Sequence, residues 1–161
     1  MIKKMGNKTD RTVMMENAIS NYFNHTYNVH MKTEKIVSTG VADMLGTITE
    51  NDNIIDVIIV EIKQQTQDFY SGHGLNFVGS SNYLAVPSEL VGFAIEFLRN
   101  EKLDFVGVLE VTEKALVRNV IYPKFNSSNE FFPLSPVAVF FSPPHLREKK
   151  AYMLKKRKSN T

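Results

Sequence analysis

The chain has 161 residues, 43% of them hydrophobic and 22% charged, which suits one globular domain with a full-sized core. It has no cysteine, so disulfides, thiolate metal sites and a thiol nucleophile are excluded. The net charge of +2 is unevenly spread: residues 145–161 hold seven Lys or Arg and one acid, a charge of +6, which leaves −4 on the rest. Such an end suits an anionic partner, phosphate backbones above all, although a solvated tail would carry the same charges.

In chain order, "MIKKMGNKTD" lacks the apolar run of a signal peptide, and no later stretch reaches membrane-spanning length. An intracellular, cytoplasmic protein without membrane contact is expected. Residues 9–24 carry apolar groups at helical spacing, with Thr9 or Asp10 available as the cap. "VHMKTEKIV" and "GVADMLGTIT" read as strands, "ENDN" as a turn, and "IIDVIIVEIK" as the strongest strand of the chain. Residues 66–81 suggest a short helix or loop and "NYLAVP" a short strand. Ser88 should cap a helix over residues 88–100, and "DFVGVLEV" should form another strand. This order predicts an α/β fold, a mixed central β-sheet flanked by helices. Residues 1–145 would form the single domain and 146–161 a basic tail. "SPVAVFF" is a candidate strand or packing arm.

The chemistry concentrates at the end of the strongest strand. Alternate strand residues share a face, so Glu61 and Lys63 point the same way and Asp56 the other way. If residues 51–53 form a three-residue hairpin loop, the partner of Glu61 on the preceding strand is Asp43. Directly opposed side chains start about 4.5–5.5 Å apart, close enough for two carboxylates to share one hard cation. Oxygen ligands without His or Cys suit Mg²⁺ or Mn²⁺, and Lys63 beside such an ion could orient a water or offset charge on a phosphate. A surface salt bridge among Asp43, Glu61 and Lys63 is the competing reading.

A helix, a hairpin with Asp on one strand and Glu-x-Lys on the next, then alternating helix and strand, resembles the PD-(D/E)xK nuclease superfamily. "TEKIVSTGVADML", "VEIKQQTQDF" and "NYLAVP" resemble more closely the MmcB-like DNA repair group and related phage proteins, over roughly residues 10–112. The resemblance implies a restriction-endonuclease-like αβββαβ core and Mg²⁺-dependent (or Mn²⁺-dependent) hydrolysis of DNA. Asp43 and Glu61, with the Ile62 carbonyl, would hold the metal, and Lys63 would position the attacking water. The helical glutamate of many members falls on Glu16, with Glu34 as the alternative in the closer group. Ala42 stands where a proline often precedes the aspartate, and the Gln-x3-Tyr signature of the RecB-like branch is absent. Two coordinated cuts would call for a homodimer.

Around this centre, Gln65 shares the face of Glu61 and Lys63 and is a candidate DNA contact. His73, in the glycine-containing loop "SGHGLNFVG", is another, as are Lys155, Lys156, Arg157 and Lys158 in the tail. The loop lacks the G-x-G-x-x-G and G-K-[ST] spacings of nucleotide-binding loops. Asp68 and Phe69 are expected to cap and anchor a short helix. A non-catalytic nucleic-acid-binding or partner-docking module on the same fold is the second functional reading, and a structural or inhibitory phage protein is the third.

Overall fold

The computed structural model describes residues 8–70, 75–127, 129 and 131. The first helix, α1 (Asp10–Tyr27), starts where the sequence supplies a cap: the Thr9 side chain accepts a hydrogen bond from the Thr12 N–H. It ends at Asn28, whose left-handed backbone (φ 57°) lets its N–H reach back to the last turn. Strands β1 (Lys32–Val37), β2 (Gly40–Glu50) and β3 (Asn53–Ile62) follow as an antiparallel meander. β4 (Ser81–Pro87) lies parallel to β3, and β5 (Gly107–Val111) lies parallel to β4 after the second helix, α2 (Val91–Asn100). β6 (Val117–Ile121) closes the six-stranded mixed sheet, whose spatial order follows the chain.

The hydrophobic pattern decides which face each helix covers. Met15, Ile19 and Phe23 of α1 pack on Met44, Ile58, Val60, Tyr83 and Leu109. On the opposite face Ala94, Phe97 and Leu98 of α2 pack on Leu84, Val86 and Val108. Successive residues of β4 therefore serve two cores, and all seven of them are buried, as expected of a parallel strand covered on both sides. Among the described residues no helix is long and apolar enough to cross a membrane.

Several expectations need amendment. Ser88 does not cap the second helix: Ser88–Leu90 forms a 3₁₀ turn and α2 begins at Val91 without a side-chain cap. Strand β6 was not anticipated, because "VRNVI" is short and mostly half-exposed at the sheet edge. The chain runs α-β-β-β-β-α-β-β, so one strand more than αβββαβ stands between the third strand and the second helix. The "SPVAVFF" segment lies outside the described residues.

The hairpin joining β2 and β3 reached the expected register by another route. Its turn has two residues, Asn51 and Asp52, both at positive φ, and Glu50 pairs with Asn53. A bulge then places Ile55 out of the ladder, so Thr49 pairs with Ile54 but Ile48 with Asp56. The extra bulged residue restores the alignment that a three-residue loop would have produced. From there to Met44–Val60 the register is unbroken, and one step further it sets Asp43 opposite Glu61.

Candidate functional site

The backbone ladder between β2 and β3 stops at Met44–Val60, and carboxylates take over from it. Asp43 Oδ2 accepts the Ile62 N–H at 2.7 Å, while the Asp43 N–H donates to Glu61 Oε2 at 3.4 Å. Each acid is thus fastened to the other's strand. Glu61 is fully buried, Asp43 half-buried, and Lys63 only 5% exposed. Lys63 lies just past β3, where its N–H donates to the Ala85 carbonyl at 3.0 Å, so the strand geometry that puts it on the face of Glu61 is maintained. Burial of this depth removes the reading of an exposed surface salt bridge.

Both carboxyl groups are held above their ordinary pKa. For Asp43 the cause is first burial, opposed by the Ile62 N–H and the Lys63 ammonium; Glu16 adds to the rise and Lys8 opposes it. Glu61 is pushed up to about 8, by burial and then by the Asp43 carboxylate, against the Asp43 N–H, Lys63 and Asn76. Among the described residues Glu61 Oε1 is buried and no group donates to it in hydrogen-bonding geometry; the Asn76 amide, close enough to oppose the rise of the carboxyl's pKa, is committed to the Val41 carbonyl. A buried carboxylate oxygen in that condition is costly, and a cation or a proton would relieve it.

Asp43 opens onto a cleft of about 300 Å³ between α1 and the ends of β2 and β3. Asp43 and Ile62 line this cleft together with Glu16, Glu34, Lys8 and Gln64; the buried Glu61 and Lys63 do not line it. Glu16, the expected accessory ligand, is therefore brought to the site, but its carboxylate is paired with Lys8 at 2.8 Å. Glu34 meets the same ammonium at 2.8 Å. The β1–β2 register places Glu34 opposite Asp43, yet that pair is skipped while Thr33–Met44 and Lys35–Ala42 form on either side. Glu34 has φ 53°, a left-handed conformation that costs a non-glycine strand residue about 1–3 kcal/mol. Glu34, Asp43 and Glu61 thus occupy one row across three strands, with Glu16 above it.

Asp56 lies on the other face, as strand parity requires. It accepts from Ser81 at 2.9 and 3.0 Å and from Ser80, and is a buried structural carboxylate. Gln65 is exposed and lies in a separate groove with Thr66 and Asp68. β3 has ended at Ile62, so alternation no longer governs residue 65. Gln64 enters the cleft instead, its side chain donating to Thr12 of α1. Asp68 and Phe69 lie inside a 3₁₀ turn (Thr66–Tyr70) rather than before a helix: Asp68 accepts from the preceding Gln64 and Gln65 N–H groups at 3.0 and 3.2 Å, and Phe69 anchors the turn edge-on against Phe93 and Phe97. His73 and the tail residues Lys155, Lys156, Arg157 and Lys158 lie outside the described residues.

Three contributors were missed by sequence reasoning. Gln64 was passed over by the parity argument, and Lys8 carried no signal beyond being basic. Asn76 ties the β1–β2 hairpin to the loop before β4: it accepts from Thr39 Oγ1 and donates to the Val41 carbonyl at 3.0 Å. Gly40 at φ 151° leaves room for it, since a Cβ there would fall 3.1 Å from Asn76 Oδ1.

No family model, curated protein or solved structure matches this chain. Among the described residues no group of three or more His, Cys, Asp or Glu is arranged to hold a metal ion. The Asp43 and Glu61 carboxylates, linked across the two strands, are oxygen donors of the kind that hard divalent cations prefer.

Proposed function

We propose that this protein is a Mg²⁺-dependent nuclease that hydrolyses DNA phosphodiester bonds, in DNA repair, recombination or phage DNA processing. The observation that carries the reading is the Asp43–Glu61 pair, half-buried and fully buried, with its raised pKa values and a Glu61 Oε1 without a partner among the described residues, near the Lys63 ammonium. The donor set fits a hard cation, because a positive charge there offsets both the repulsion and the orphaned oxygen. Asp43, Glu61 and the Ile62 carbonyl would hold Mg²⁺ or Mn²⁺, which would supply Lewis-acid polarisation of the scissile phosphate.

The chain's own groups do the rest. Lys63, on the face of Glu61, orients the attacking water and offsets negative charge developing on the phosphate. Gln64 and Thr12 brace α1 against the end of β3 and keep the cleft at a fixed width. Gln65 and the tail lysines would contact the DNA backbone, and two coordinated cuts would need a homodimer.

The second reading, a nucleic-acid-binding or partner-docking module without cleavage, is favoured by one feature: Lys63 is 5% exposed and does not line the cleft. Incubation with supercoiled, linear, branched and single-stranded DNA, with Mg²⁺ or Mn²⁺, separates the two. Cleavage that falls by about 10²–10³-fold in Lys63→Ala is expected. Binding without cleavage on every substrate would establish the module instead, and cleavage unaffected by Lys63→Ala would remove the nuclease assignment.

A further inference from the structure

Lys8 stands just before α1, with its ammonium 2.8 Å from Glu16 Oε2 and 2.8 Å from Glu34 Oε2. The two carboxylates come from unrelated elements, α1 and β1, and Glu34 reaches the ammonium from left-handed backbone. The Lys8, Glu16 and Glu34 side chains are only 21%, 11% and 25% exposed. Burial alone would lower the Lys8 pKa, and its bonds to the two glutamates more than reverse that. A casual surface pair needs neither a strained strand residue nor a cleft.

The chemistry of the two acid pairs differs in one respect. The inner pair, Asp43 and Glu61, keeps a buried oxygen without a partner among the described residues. The outer pair, Glu16 and Glu34, already shares one compact cation, a point charge with three donors. A hard divalent ion would use the same carboxylate oxygens and supply the same sign of charge.

We infer that Lys8 is a tethered counter-ion occupying a second cation position, between Glu16 and Glu34, and so limits the cleft to one divalent ion. The identity of that one ion's site rests on the functional reading of Asp43 and Glu61; the outer position does not. Lys8→Met keeps most of the aliphatic stem and removes the charge, which opens Glu16 and Glu34 to a cation.

The test is Mn²⁺ binding to the full chain without DNA, read by calorimetry and by the electron paramagnetic resonance of free Mn²⁺. Lys8→Met should bind one Mn²⁺ more per chain than wild type, and Lys8→Met/Glu34→Gln should lose that extra ion. Equal stoichiometry in wild type and Lys8→Met overturns the inference; if both bind one ion, the Asp43–Glu61 reading survives it. No ion in wild type but one in Lys8→Met sinks that reading and leaves the outer position standing. Should Lys8→Met be unfolded without metal, Mn²⁺ must restore its circular dichroism where Na⁺ at equal ionic strength does not. Failure of that rescue also overturns the inference.

Discussion

Asp56 and Glu61 are buried carboxylates five residues apart on one strand, and their partners set them to different tasks. Asp56 has its oxygens occupied by Ser80 and Ser81, yet burial still pushes its pKa from 3.8 to about 6. The folded state therefore binds the proton more tightly than the unfolded chain. Its contribution is favourable at low pH and is lost as pH rises from about 4 to 6, by roughly 2–3 kcal/mol. Asp56→Asn, which cannot ionise, should lack that fall; urea unfolding of both proteins at pH 4.5 and pH 7 measures it. Glu61 has the same sign over a wider window, since its pKa is raised from 4.5 to about 8. Here a cation should repair the loss. Mn²⁺ at a hundredfold excess over Kd should raise Tm by about 5–10 °C, and chelation should reverse it. Asp43→Asn and Glu61→Gln should show no such shift in thermal denaturation.

At the scale of elements, the start of α1 and the end of β3 are one mechanical unit. Thr9 caps the helix through the Thr12 N–H, and Thr12 in turn accepts from Gln64 at the strand's end. Thr9→Ala should cost about 1 kcal/mol, seen as a lower urea midpoint at unchanged slope. The β2–β3 hairpin teaches a related lesson. Its apolar, β-branched strand and its turn cluster were legible, and so was the face on which Glu61 and Lys63 lie. The division of the connection into a two-residue turn and a bulge at Ile55 was not, because loop and bulge trade one residue without altering the apolar pattern downstream. The same limit applies to residue 65: parity holds only while the backbone stays extended, and β3 ends at Ile62.

Across the whole molecule, charge is segregated: −4 on residues 1–144 and +6 on 145–161. If the protein grips phosphates through its basic end, removing residues 146–161 should weaken binding to all DNA sequences alike. The slope of log Kd against log salt should then flatten by about 0.9 for each phosphate that the truncated chain no longer neutralises, which a salt titration of duplex binding measures. The sheet itself has a central strand, β4, that feeds both helices' cores and pairs with β3 as far as Ile62, so the strand end beside the cleft rests on buried, two-sided packing. That rigidity suits a site whose carboxylates must stay close despite repulsion.

The residues alone determined the α/β class, the strands that carry the acids and the face that Glu61 shares with Lys63, because periodicity and strand parity are properties of local chain geometry; the pairing of Asp43 with Glu61 also needed the bulge at Ile55. Tertiary structure alone decided the rest. Packing buried Glu61 and left its Oε1 without a partner among the described residues, and it turned Glu34 into left-handed backbone opposite Asp43. It also carried Lys8 onto the two outer glutamates. Burial, strain and through-space charge depend on which distant segments meet, and no local pattern in this sequence encodes those meetings.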